Sequence, residues 1–230
     1  NSSAVTRKLP MEKTLFSLEK TTIQYNGHVI LSDISLSIEE GSKIALVGQS
    51  GAGKSTLLTQ LYEASNRDVA LVPQELGLVR NLSVFHNIYM GRLNRHGAFY
   101  NILNLIKPTQ KELTNVRPIA EKLGLVDKLF APVQELSGGQ QQRTAVGRAI
   151  FKGSPVFFGD EPVSAVDEHQ SHTVLSTIMK SHKTVILSMH DVKLALHYSD
   201  RVIGLKNGVK VLDESTRGMK TSDLDDLYQE

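Results

Sequence analysis

Apolar residues recur about every second position from Leu15 to Tyr25 and again from Val29 to Ile38, with Asn26-Gly27 between. Period-two alternation on either side of an Asn-Gly pair predicts two antiparallel strands joined by a tight turn. Lys43 to Val47 is a continuous apolar run, the pattern of a strand buried on both faces. Leu57, Leu58, Leu61 and Tyr62 then fall at helical spacing, and Asp68 to Gln74 returns to a buried strand with a polar end. Val84, Phe85, Ile88 and Tyr89 form a helical stripe behind Ser83, a residue suited to cap a helix. From Gly91 to Thr114 the pattern is mixed, with Gly97 and Pro108 inside it, and predicts loop with a short helix. Ile119, Ala120 and Leu123 predict a further helix ending near Gly124.

The second half alternates more regularly. Leu136 to Arg143 (LSGGQQQR) opens a helix that runs on through Ala145, Val146, Ala149 and Ile150. Pro155 to Glu161 is an apolar strand ending in two carboxylates, and Val174, Leu175, Ile178 and Met179 share one helical face. Thr184 to His190 is another buried strand with a polar end. Residues 201–214 predict a hairpin through Asn207-Gly208, and Ser222 to Leu227 a short helix with acidic residues near its start. Strands alternating with helices predict the α/β class with a mainly parallel sheet.

At 230 residues the chain suits one large domain, or a core with an attached subdomain. Its 26 basic and 24 acidic residues leave a net charge of +2 with no block of one sign, so there is no nucleic-acid footprint. The absence of cysteine excludes disulfides and thiolate metal sites and agrees with a reducing compartment. No apolar run approaches the ~18 residues of a membrane span, and no charged-then-apolar leader opens the sequence. A role at a membrane is therefore expected to come through a partner, without direct insertion. Residues 1–12 lack periodicity and are expected to be a disordered tail.

Candidate chemistry centres on Gly48-Gln49-Ser50-Gly51-Ala52-Gly53-Lys54-Ser55-Thr56, placed between a strand and a helix. Glycines at 48, 51 and 53 let successive amides turn into one concavity, and the helix that follows adds its positive end. In such a phosphate-binding loop the lysine reaches the β- and γ-phosphates and the following hydroxyl binds Mg²⁺. Asp160, at a strand end behind that loop, suits a Mg²⁺ contact, and the adjacent Glu161 suits acceptance of a proton from attacking water. His190 ends a strand where a γ-phosphate can lie, and taken alone it is equally a ligand contact or a packing residue. Tyr25 is equally a base-stacking ring or a sheet aromatic. Ser137-Gly138-Gly139 taken alone is an ordinary serine-capped helix start that also presents amides to an anion. His169 and His172, lacking further ligands nearby, are expected on a solvated helix face.

Taken in order, the loop at 48–56, Gln74, Leu136–Gln140, Asp160-Glu161, Asp167 and His190 resemble the nucleotide-binding subunit of ATP-binding cassette (ABC) transporters across residues 15–230. The resemblance implies a phosphate-loop ATPase core over 13–76 and 152–230. It also implies an N-terminal antiparallel β subdomain and an inserted helical subdomain over 77–151. It implies ATP and Mg²⁺: Tyr25 on the adenine, Gly48 to Thr56 around the phosphates, and Ser55, Gln74 and Asp160 around the metal. Glu161 is then the general base, with His190 on the γ-phosphate and Lys54 and Gln74 completing the catalytic set. The family dimerises head to tail, so Ser137, Gly138, Gly139 and Gln140 of one subunit cap the phosphate held by the other, and Asp167 joins the two sites. The implied partners are a second copy and integral-membrane permease subunits, one of which sends a short helix to the stretch after Gln74. The implied location is the cytoplasmic face of the cell's inner membrane.

Several local features resemble most the ATPase of bacterial phosphonate importers. They are Gln140-Gln141-Gln142-Arg143, the aromatic segment near Phe99-Tyr100, Ser188 to Val192, and Leu224-x-x-Leu227-Tyr228. An ABC-type ATPase uncoupled from transport and a catalytically weakened interaction module are the competing readings. A single cassette, no coiled-coil insertion and near-neutral charge oppose the first; the presence of Glu161 and His190 opposes the second. Two departures from the family stand out. Only nineteen residues separate Lys54 from Gln74, so a strand or hairpin is expected to be missing there, and Gly159 precedes Asp160 where a bulkier residue is usual.

Overall fold

The computed structural model describes residues 13–65 and 67–229, and the tail expected over 1–12 lies outside them. Strands β1 (Thr14–Tyr25) and β2 (His28–Glu39) form an antiparallel pair whose register runs from Thr14 opposite Glu39 to Tyr25 opposite His28. The turn works because Asn26 and Gly27 both take positive φ (50° and 79°), as a tight right-twisted hairpin requires. Next come β3 (Lys43–Val47), α1 (Lys54–Glu63) and β4 (Val69–Val72). A helical region follows, with α2 (Val84–Tyr89), α3 (Ala98–Ile106), α4 (Gln110–Lys122) and α5 (Gly138–Lys152). The chain then alternates through β5 (Val156–Asp160), α6 (Glu168–Ser181), β6 (Thr184–Ser188), α7 (Val192–Tyr198), β7 (Arg201–Lys206) and β8 (Val209–Ser215). A 3₁₀ turn over Thr221–Leu227 comes last.

The main sheet has the order β4-β5-β6-β3-β7-β8, with all neighbours parallel except the β7–β8 hairpin. Period-two alternation sorts its side chains into two apolar layers. Ile44, Leu46, Phe158, Ile186 and Ile203 face α1 and the β1–β2 pair, whereas Ala45, Val47, Phe157, Val185 and Val202 face the later helices. The β1–β2 pair is tied to the main sheet through Arg201. Its guanidinium donates to Ser37 O (2.7 Å) and grips Asp213 bidentately from β7 to β8 (2.6 and 2.9 Å).

Residues 91–122 hold more helix than the sequence pattern predicts. Thr109 caps α4 by accepting from the Glu112 amide (3.5 Å), and the buried Asn104 side chain accepts from both Thr109 N and Thr109 Oγ1 (2.9 Å each). Polar side chains close the α3–α4 corner, so the apolar spacing alone understates it. Helix α1 leads to β4 with no strand between among the described residues, as the short Lys54–Gln74 separation predicts. Gly159 also has a local reason. A Cβ there would lie 2.9 Å from Phe157 Cε1, 3.0 Å from Leu187 Cδ2 and 3.1 Å from Pro162 Cγ, so neighbouring side chains fill the space a larger residue would take.

Candidate active site

The loop after β3 is shaped by glycines at the points where the fold demands them. Gly48 has φ +142°, and a Cβ there would stand 2.1 Å from the Leu205 carbonyl oxygen, so no other residue fits. Gly53 (φ +101°) is the N-cap of α1, whose first amides face the loop concavity. Lys54 is only 5% exposed, and its Nζ donates to Gly48 O and Gln49 O at 2.8 Å each. Burial pushes its ammonium below the usual lysine range, while the nearby carboxylates of Glu161 and Asp160 pull it back up. Gly208, in the β7–β8 turn, donates to Ala52 O (3.2 Å) and holds the loop from beyond.

Ser55, Gln74 and Asp160 line one cavity of about 320 Å³ beside Tyr62, Pro73 and Glu75. A hydroxyl, an amide oxygen and a carboxylate are the donors a hard divalent cation takes, so this set fits Mg²⁺. Asp160 is buried, and Ser188 Oγ donates to its Oδ1. The same Ser188 accepts the Glu161 amide through Oγ (3.1 Å) and O (3.2 Å). Glu161 itself sits at φ +52°, a left-handed backbone uncommon for its type and characteristic of functional turns. Its Oε1 is 2.6 Å from His190 Nε2, and both line a second cavity of about 540 Å³ with Ser164, Val166 and Asp191.

Ser137 accepts the Gln140 amide (3.3 Å) while Gln140 Oε1 accepts the Ser137 amide (3.0 Å), a reciprocal cap on α5. Gly139 packs against the loop after β5: a Cβ there would be 2.6 Å from Ala165 O. Asp167 caps α6, its Oδ1 accepting from the Gln170 amide at 2.9 Å. Residues 137–140 line neither cavity. Tyr25 also lies outside both, and at 57% exposure its ring is not packed into a sheet core. His169 is exposed, while His172 is half-buried with Nδ1 2.9 Å from Tyr198 Oη, which places it off the fully solvated face expected for it.

Three contributors escaped the sequence reading. Ser188 anchors both carboxylate residues, and its only signal is a polar residue at the end of an apolar strand. Gln142 spends its whole amide on the loop after β5: Nε2 donates to Glu161 O (2.7 Å) and Ser164 Oγ (3.1 Å), and Oε1 accepts from Ala165 N (2.9 Å). Arg148 donates to Leu76 O (2.6 Å) and Gly77 O (2.7 Å), fixing the turn that follows Gln74. Nothing in their spacing distinguishes Gln142 and Arg148 from solvent-facing helix residues.

A glycine-rich loop between a central strand and a helix, with strand-end carboxylates across from its lysine, defines a phosphate-loop nucleoside-triphosphatase. The sequence model of the family described as "ABC transporter" matches residues 31–66 and 59–164, in two pieces that meet at the shortened α1–β4 connection. A phosphonates import ATP-binding protein of Trichodesmium erythraeum is 31% identical over 244 residues, covering 94% of this chain and 96% of the relative. Its namesake in Lactobacillus acidophilus is also 31% identical, with 94% and 95% covered. Among solved structures, a dimeric ATP-binding cassette in a post-hydrolysis state with ADP and Pi superposes with TM-score 0.73 at 23% identity, covering 88% of this chain and 99% of that one. A nucleotide-free cassette from an ABC transporter gives TM-score 0.72 at 18% identity, with 95% and 96% covered. The chain belongs to the ABC transporter family, as an ATP-hydrolysing cassette that energises transport. No helix among the described residues is long and apolar enough to cross a membrane.

Proposed function

We propose that this chain works as a head-to-tail homodimer, hydrolysing Mg²⁺-ATP to drive permease subunits at the cytoplasmic face of the membrane. The observation that carries this reading is the buried Lys54, flanked by loop carbonyls and by the charges of Asp160 and Glu161. A lysine desolvated in that way attracts the terminal phosphates of a nucleotide more strongly than a solvated one would. Gly48, Gln49, Ser50, Gly51, Ala52, Gly53, Ser55 and Thr56 surround those phosphates, and Tyr25 stacks on the adenine. Ser55, Gln74 and Asp160 hold Mg²⁺, which neutralises charge developing on the transferred phosphoryl group when bound. Glu161 takes the proton of the attacking water, its backbone fixed by Ser188 and its carboxylate oriented by His190. His190 also reaches the γ-phosphate. Most of the rate then comes from positioning and charge rather than covalent chemistry.

Ser137, Gly138, Gly139, Gln140 and Asp167 act in trans. None of them lines either cavity of its own chain, which supports a site completed by a second copy. Residues 77–151 act as the helical subdomain that carries this surface, and 13–76 with 152–230 as the nucleotide-binding core. The names of the relatives support phosphonate as the imported class. ATPase rate measured against protein concentration, with Mg²⁺, tests the composite site. Activity per subunit should rise with concentration, and Glu161→Gln should lower it by about 100-fold or more while ATP stays bound. Activity per subunit independent of concentration overturns the composite site, and a parental rate in Glu161→Gln overturns the base assignment. Phosphonate-dependent stimulation of the ATPase in vesicles carrying the permease tests the cargo.

A further inference from the structure

The segment Leu224-x-x-Leu227-Tyr228 has no part in the chemistry described above, yet it touches the phosphate loop. Leu224 and Leu227 are buried, and Leu227 lies against Gly204 so closely that a Cβ there would be 2.9 Å from its Cδ1. Lys206 Nζ donates to Asp226 O (3.0 Å), a second tie between β7 and the terminal turn. With the turn anchored, Tyr228 reaches the loop twice. The Gly48 amide donates to its Oη (3.3 Å), and Gln49 Nε2 donates to its backbone carbonyl (2.8 Å). Gly48 and Gln49 are the two residues whose carbonyls receive Lys54 Nζ. Burial raises the Tyr228 phenol above the usual tyrosine range, with the Gly48 amide opposing and Asp191 adding to the rise, so the neutral hydroxyl is favoured.

We propose that Tyr228 is a positioning residue for the phosphate loop: by holding Gly48 and Gln49 it sets where Lys54 meets the triphosphate. This rests on the nucleotide site assigned above. The clamp acts on phosphate recognition, because the residues it fixes hold the lysine and leave the base alone. Loss of one hydrogen bond of this kind should weaken ATP and ADP binding by about 3- to 10-fold. Binding of AMP, which lacks the phosphates Lys54 reaches, should stay within about 2-fold.

The test is Tyr228→Phe, which keeps the ring and removes the hydroxyl. Nucleotide titration should give the loss for ATP and ADP with AMP spared, KM for ATP should rise with kcat little changed, and the Gly48 amide proton should move upfield in NMR spectra. A purely structural role would instead lower thermal stability and weaken all three nucleotides alike, and that result overturns the proposal. An unshifted Gly48 amide with unchanged ATP affinity overturns it as well. If the parent chain itself binds no ATP, the site assignment falls and the clamp falls with it; if the parent binds and the variant binds equally, only the clamp falls. Should Tyr228→Phe fail to fold, Lys206→Met, which removes the tie to Asp226 O and touches no phosphate, loosens the turn that carries Tyr228 and should give the same split between ATP and AMP.

Discussion

Gln142 and Gly159 show how single positions support the chemistry without touching a substrate. Gln142→Leu keeps the volume, leaves Ala165 N without its side-chain partner and leaves Glu161 O with the Ser164 amide alone (3.2 Å), so the backbone that carries the proposed general base is loosened. Turnover should fall by about 10-fold, while fluorescence titration returns a nucleotide Kd within about 2-fold of the parent. Lys54→Ala removes the charge proposed to meet the phosphates, and the same titration should weaken by about 100-fold or more. Gly159→Val pushes two methyls into Phe157, Leu187 and Pro162, an overpacking that should cost about 1–3 kcal/mol in urea unfolding. The places of the loop glycines and the strand-end carboxylates could be read directly from the chain, because a phosphate loop demands those residue types at those spacings. Ser188, Gln142 and Tyr228 could not, because each acts through a backbone atom that only the tertiary fold brings within reach.

Elements tell a similar story. Every strand predicted from apolar runs is present, since burial on both faces leaves little choice of residue, and the Asn-Gly turns fall where positive φ is needed. Helix α3 and the start of α4 were obscured because polar side chains define their junction, whereas the end of α4 lies where Ile119, Ala120 and Leu123 predict a helix. The contact among β7, β8 and β2 was invisible for a different reason, since it joins residues far apart in sequence. There, burial works against the charge of Asp213, but Arg201 and Lys210 prevail and hold its carboxyl below the usual range. A carboxylate with a depressed folded-state pKa stabilises the fold above its unfolded value and loses that contribution as pH falls through the folded one. Asp213→Asn should therefore cost about 1–2 kcal/mol near neutral pH, the groups being partly exposed. Urea unfolding should show that deficit shrinking as the pH is lowered toward about 3.

Across the whole molecule, acid sensitivity should come early from a buried histidine. His182 is 4% exposed; its Nδ1 lies 2.7 Å from Ser154 O, and its Nε2 has no partner. Burial pushes its pKa down, the Ser154 carbonyl opposes this, and Lys43 adds to it. Because the folded pKa lies below the unfolded one, its contribution is full above the unfolded value of about 6.5 and declines as the pH falls through it toward the folded value. His182→Asn keeps a donor near Ser154 O and cannot titrate. Its unfolding midpoint should change less between about pH 8 and pH 5.5 than that of the parent, as chemical denaturation at each pH would record.

The place of β3 in the sheet also governs how the protein is born. This strand carries the phosphate loop, yet its neighbours are residues 184–188 and 201–206. A ribosome finishes the loop well before the strands on either side of it, and the loop lacks its flanking strands until β6 and β7 emerge. Nascent chains arrested short of β6 should therefore be protease-sensitive at the loop and blind to nucleotide, whereas those extended past β7 acquire both protection and ATP. Competence for nucleotide should thus switch on only once β6 and β7 are in place, and chains terminated before them should not compete for nucleotide.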